Sequence, residues 1–296
     1  MKKATTIIKS AIFFAVISTF CVPARAQKVS NVQQGSVWAP DSVKIDGKLT
    51  EWGNTLQAYN KSTLLWYTLA NNDKNIYLVI KSTGQSNNNK ILAGGISLTI
   101  NTAGKKKDKN AFVITFPVPN NTGMRGMGRR RGGDQQDTPD SAAIIAQQRQ
   151  TLADSKEISA LGFKDITDTL ISIYNEYSIK AVAKIDDKGN FVYELAVPLQ
   201  LLGLSTADAK EIAYNVKVNG LQIAGFGGFG GGGGGRNGGG GGGRNGGGGD
   251  GGGGGGFGGG SAFGGKSNAD NIQDITAPTD FWGKYTLATG KITANK

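Results

Sequence analysis

The chain has 296 residues, a formal charge of +11, one cysteine and no histidine. The missing histidine excludes Ser-His-Asp relays, His–carboxylate pairs and the usual His-based zinc and iron sites, and one cysteine makes neither an internal disulfide nor a thiolate cage. Carboxylate, Lys, Tyr, Ser and Thr chemistry is all that is left.

The chain opens like an export signal. Lys2, Lys3 and Lys9 form a basic start, Ala11 to Val22 is an apolar run, and Ala24-Arg25-Ala26 fits an A-x-A cleavage site. The run is too short to span a bilayer. Cys21 would serve a lipoprotein anchor, but Phe20 is bulky where small residues are expected, so cleavage after Ala26 is predicted. The signal peptide is then 1–26 and the domain 27–296. The destination is outside the cytoplasmic membrane: periplasmic, outer-surface or secreted. A cysteine-free mature chain must rely on a packed core, for which about 250 non-repetitive residues suffice. No later stretch is apolar enough for a transmembrane helix. The lysines scattered through the presumed loops read as solubility, though a basic surface also suits anionic surface glycans.

Strand patterns follow. Leu64, Trp66, Thr68 and Ala70 alternate with Leu65, Tyr67 and Leu69, which predicts a central strand apolar on both faces. A turn cluster at 71–75 leads to a partner strand over Ile76–Lys81. Ile96, Leu98 and Ile100 alternate with Ser97, Thr99 and Asn101, predicting a half-buried strand, and Ala111–Phe116 follows the basic loop Lys105–Lys109. A long hairpin spans 172–185 and 191–197, turned at Asp186–Asn190 by residues that favour turns. Pro198 ends it and Leu199–Leu204 predicts a helical turn. The last strands are 212–219 and 284–289. Many short strands with turns between them predict an all-β fold, an antiparallel two-sheet β-sandwich.

Two insertions interrupt this single domain. The first, about 120–155, holds an Arg/Gly loop with Arg125, Arg129, Arg130 and Arg131 and then one short helix opening at Pro139-Asp140-Ser141. Its narrow apolar stripe (Ile144, Ile145, Leu152) predicts loose surface packing. The second, 225–265, has 30 glycines in 41 residues. With almost no side chains to bury and the largest backbone entropy to lose, it is expected to be disordered.

Six segments in order carry a resemblance: Val43–Trp52 (VKIDGKLTEW), Asn75–Lys81, Gly95–Asn101, Phe191–Pro198 (FVYELAVP), Ala213–Asn219 and Pro278–Leu287 (PTDFWGKYTL). Together they resemble the carbohydrate-binding module family 9-like domains, relatives of DOMON-like β-sandwiches, over roughly Ser36 to Lys291 without the insertions. The resemblance implies a sandwich that binds polysaccharide or oligosaccharide without catalysis, and often a structural calcium. Asp41, Asp46, Asp73 and Asp186-Asp187 offer oxygens, but none forms a recognisable calcium loop, and Asn101 stands where the related strand commonly ends in Asp.

Aromatic platforms for sugar are sought in Trp66, Tyr67, Trp282 and Trp52, in that expected order of exposure, with Asn215, Asn219 and Gln222 as polar partners. Each also has an ordinary role. Trp52 closes an Asp-Gly turn, Gly283 lets the closing strand pack tightly beside Trp282, and only one of Trp66 and Tyr67 can face the core. Glycosidase chemistry needs two facing carboxylates, and spacing does not show Glu51, Glu176 or Glu194 converging. Arg236 and Arg244 are too few for a nucleic-acid footprint. The sequence therefore reads as an exported non-catalytic carbohydrate-binding protein. A surface-assembly protein that keeps the sandwich without sugar binding is the alternative, and a carboxylate hydrolase stands behind both.

Overall fold

The computed structural model describes residues 29–53, 55–119, 140–208, 210–221 and 274–290. Within them eleven strands form two antiparallel sheets. The first contains β1 (Ala58–Asn60), β2 (Leu65–Asn71), β3 (Asn75–Ser82), β9 (Phe191–Pro198) and β8 (Lys180–Ile185), side by side in that order. The second runs β11 (Thr279–Thr286), β10 (Glu211–Val218), β4 (Ile96–Asn101), β5 (Phe112–Phe116), β6 (Glu157–Leu161) and β7 (Leu170–Ser172). Alternation along each strand sends one set of side chains between the sheets. Leu65, Tyr67 and Leu69 of β2 meet Ile76, Leu78 and Ile80 of β3 there, with Phe191, Tyr193, Tyr214 and Val216 from β9 and β10. The two-sheet sandwich expected from the strand patterns is what the chain forms.

The outer face of the first sheet is covered as well, which explains the doubly apolar β2. Ala70, Tyr77 and Ala196 point outward and are sealed by Val37, Ala39, Val43, Ile45 and Trp52 of the N-terminal segment. That segment also protects the edge of β2 beyond its three-residue partner β1. The Gln33 amide imitates a strand, accepting from the Leu69 N–H and donating to the Leu69 carbonyl, both at 2.8 Å. Ala39 and Val37 complete the edge with backbone bonds to Asn71. An edge closed in this way offers no template to another strand.

Several expectations need correction. β2 lies one strand in from the edge, not at the centre. β4 is buried over its whole length, polar residues included, rather than half-buried. The arm preceding the β8–β9 hairpin is shorter than 172–185, because residues 173–179 turn between β7 and β8. β11 starts at Thr279, so it contains Trp282 instead of following it.

Helix α1 (Gln85–Gly94) has no apolar period to announce it. It is held by polar ties: Asn87 to the Thr63 carbonyl and Ser82 Oγ, Asn88 to the Gly189 carbonyl, and Lys90 to Thr279 Oγ1. Helix α2 (Ser141–Ala153) is the expected one, capped by Asp140 accepting from the Ala142 N–H. It docks more firmly than its stripe suggested: Leu152 joins the core, and Arg149 binds the Ile185 carbonyl and Asp187.

The segment 1–26 expected to be a signal peptide, the Arg125–Arg131 loop, the polyglycine segment 225–265 and Gln222 lie outside the described residues. The strands bracketing both insertions meet at one end of the sandwich, where Ile96 pairs with Phe116 and Val218 pairs with both Ile96 and Thr279.

Candidate functional site

The sharpest sequence motif folds into a clasp around a buried carboxylate. Glu194, on the outer face of β9, is 0% exposed. Its Oε2 accepts from the backbone N–H groups of Asp46 (3.0 Å) and Gly47 (2.7 Å), and its Oε1 from Trp52 Nε1 (2.8 Å). Gly47 takes φ +76° and lies against Lys184 and Val182, so the turn needs glycine. Burial pushes the Glu194 carboxyl above its ordinary pKa, outweighing the three donors that pull it down. Trp52 packs on Tyr77 with ring centroids 5.8 Å apart. It is a cover for the sheet and a donor to Glu194, whose side chain is buried.

Tyr67 must be withdrawn as a platform. It is 0% exposed between the sheets, its hydroxyl 2.9 Å from that of Tyr214 and accepting from the Gln33 N–H. Trp66, its neighbour, faces outward as the alternation requires, half-buried against Tyr59 with centroids 4.8 Å apart. Asn215 is also withdrawn as a free sugar partner. It is 4% exposed, and its Nδ2 is committed to Asp280 Oδ2 (2.6 Å) and the Phe281 carbonyl (3.0 Å). Asn219 spends its Nδ2 on the Gly94 carbonyl (3.0 Å) and Ser97 Oγ (2.9 Å), closing the end of β10 over α1.

Trp282 has the setting of a binding residue. Phe281 and Gly283 turn inward, and Gly283 lies beneath the Tyr214 ring with no room for a Cβ. Trp282 therefore turns outward, across from Asn215 and in one row with Thr99, Val113 and Leu161. It stays half-buried. It also lines a groove of about 410 Å³ along β11, whose other walls are Val32–Ser36, Lys106, Glu211 and Lys284. An indole beside polar groups in a groove can hold a ring whose C–H face stacks while its substituents bond to the rim.

Sequence reading missed two parts of this arrangement. Residues 32–36 carry no motif and acquire meaning only by lying beside β11. Lys106 sits in a lysine run that resembles any solvated loop. Trp38, not among the sequence candidates, is the most exposed tryptophan at 36% and packs on Gly290. Among the described residues no group of three or more Asp, Glu, Cys or His side chains is placed to hold a metal. Asp186 is committed to its own turn, accepting from the Lys188 and Asn190 N–H groups and Asn190 Nδ2. Compared with family models and with curated protein sequences, the chain matches none.

Proposed function

We propose that this protein is an exported, non-catalytic glycan-binding sandwich that takes its ligand in the groove beside β11, with Trp282 as the stacking platform. The single observation carrying this reading is the outward, half-buried Trp282 lining a 410 Å³ groove with polar walls. The ordered resemblance to family 9-like modules supports it, as does the sequestration of Glu194, which leaves that acid no route to a glycosidic bond. Export rests on residues 1–26, and a structural calcium remains an implication of the resemblance with no ligands assigned.

Tryptophan fluorescence of the full-length chain against a glycan panel, with and without calcium, tests the reading. Trp282→Ala should abolish a saturable signal that Trp66→Ala leaves intact. Loss with Trp66→Ala alone moves the site to the first sheet, and silence across the panel removes the sugar reading.

A surface-assembly role has one observation in its favour. Leu161 and Leu170 face outward at the β6–β7 edge, and Tyr174 just beyond is 84% exposed. Concentration-dependent self-association, lost in Tyr174→Ser, would support that reading instead.

A further inference from the structure

We propose that the groove beside β11 selects acidic oligosaccharides, carboxylated or sulfated, through Lys106 and Lys284; this rests on the glycan-binding reading above. The inference comes from counting the donors that remain free. Gln33 Nε2 donates to the Gly35 and Leu69 carbonyls, Gln34 Nε2 to the Val32 carbonyl, and Ser36 Oγ to the Thr286 carbonyl. The side-chain donors of Gln33, Gln34 and Ser36 are therefore committed within the protein. The charged donors of the wall are two ammonium groups. Lys106 forms no ion pair among the described residues, and Lys284 Nζ meets Glu211 Oε1 at 2.6 Å with both side chains about half exposed (49% and 50%). A pair this open to water is weakly held, and a ligand anion can replace Glu211.

Lys106 is placed rather than merely present. Asn101, 3% exposed at the end of β4, donates from Nδ2 to the Lys107 (2.9 Å) and Lys109 (3.4 Å) carbonyls. Its Oδ1 accepts from the Ala103 (3.0 Å) and Lys105 (3.4 Å) N–H groups. One buried amide thus shapes the lysine loop from inside. Gly104, at φ +69°, seats the loop against the Glu211 carbonyl, and no larger residue fits there without strain. Trp282 supplies the ring platform in the same groove, and the two lysines supply charge for a carboxylate or sulfate.

The test titrates the full-length chain, read by tryptophan fluorescence, with oligogalacturonate, a sulfated galactan oligosaccharide and a neutral galactan oligosaccharide of equal length, at low and high NaCl. At least one acidic ligand should bind about tenfold tighter than the neutral one, as expected where charge-assisted bonds replace neutral ones, and added salt should erode that margin. Lys106→Gln and Lys284→Gln, with unchanged melting curves, should each weaken the acidic ligand by a larger factor than the neutral one. The two acidic ligands distinguish carboxylate from sulfate. Equal affinity for neutral and acidic sugar overturns the selectivity while keeping the glycan reading. Acidic binding unaffected by either lysine variant overturns the location. No binding of any of the three, repeated across the wider panel, removes both.

Discussion

At the scale of single residues, the same side chain has opposite value in two places of one core. Among the described residues the Tyr193 hydroxyl is buried with no hydrogen-bond partner, whereas the Tyr67 hydroxyl has the Gln33 N–H and Tyr214. An unpaired buried hydroxyl costs its desolvation, while a paired one contributes about 1 kcal/mol. Tyr193→Phe should therefore leave the protein as stable or raise stability by about 1 kcal/mol, and Tyr67→Phe should lower it by about 1–2 kcal/mol. Urea denaturation of the two variants side by side checks the sign, and equal effects would refute the assignment. Trp52→Phe leaves the buried Glu194 carboxylate with one donor fewer, for an expected loss of about 1–3 kcal/mol. The Asp-Gly and Trp of this clasp were legible in the sequence. Their common target was not, since 142 positions separate Trp52 from Glu194.

Among the elements, the β8–β9 hairpin ties the sandwich to helices α1 and α2. Its turn meets α1 through Asn88 and the Gly189 carbonyl, and α2 through Arg149 and Asp187. Although burial raises the Asp186 pKa, its bonds from Asn190 and Lys188, with Lys81 nearby, outweigh that and hold it below the ordinary Asp value. A depressed carboxyl gives stability that is present above the unfolded Asp pKa and is lost as pH falls through the folded one. Asp186→Asn should accordingly flatten the acid limb of a stability–pH profile, and an unchanged limb would show that other carboxylates dominate it. Strands β2, β3, β4, β5 and β9 were readable because each is a run rich in apolar, β-branched and aromatic residues bounded by turn or loop signals. Helix α1 was not, because Gln-Ser-Asn-Asn-Asn-Lys offers no apolar period and its anchors, Thr63, Gly189 and Thr279, come from distant loops.

At the scale of the whole molecule, the described residues share one principal core to which both sheets contribute. Its unfolding should be a single transition, with tryptophan fluorescence and far-UV circular dichroism coinciding; separated curves would mean the sheets melt independently. The core also predicts alkaline behaviour. Burial raises the phenols of Tyr67, Tyr193 and Tyr214 above their ordinary pKa and pushes Tyr285 up to about 12. A raised phenol gives stability that is complete below the unfolded pKa of about 10 and is lost as pH climbs through the folded value. Stability should therefore fall above about pH 10, with most tyrosine ionisation, read by ultraviolet absorbance, arriving together with unfolding.

The sequence by itself made the two-sheet architecture legible, because short runs of strand-forming residues alternate with turn signals, and the absence of histidine excluded histidine-based chemistry outright. It also put Trp282 among the candidates. Only the tertiary structure decided which candidates face outward. Tyr67 and Trp66 are adjacent in sequence and lie on opposite faces of one strand, and which face meets the other sheet depends on the whole sandwich. The groove was likewise beyond the sequence. Residues 32–36, Lys106, Glu211 and Trp282 become neighbours only when the N-terminal segment and the β4–β5 loop pack beside the closing strand, and no local pattern encodes contacts made across so much chain.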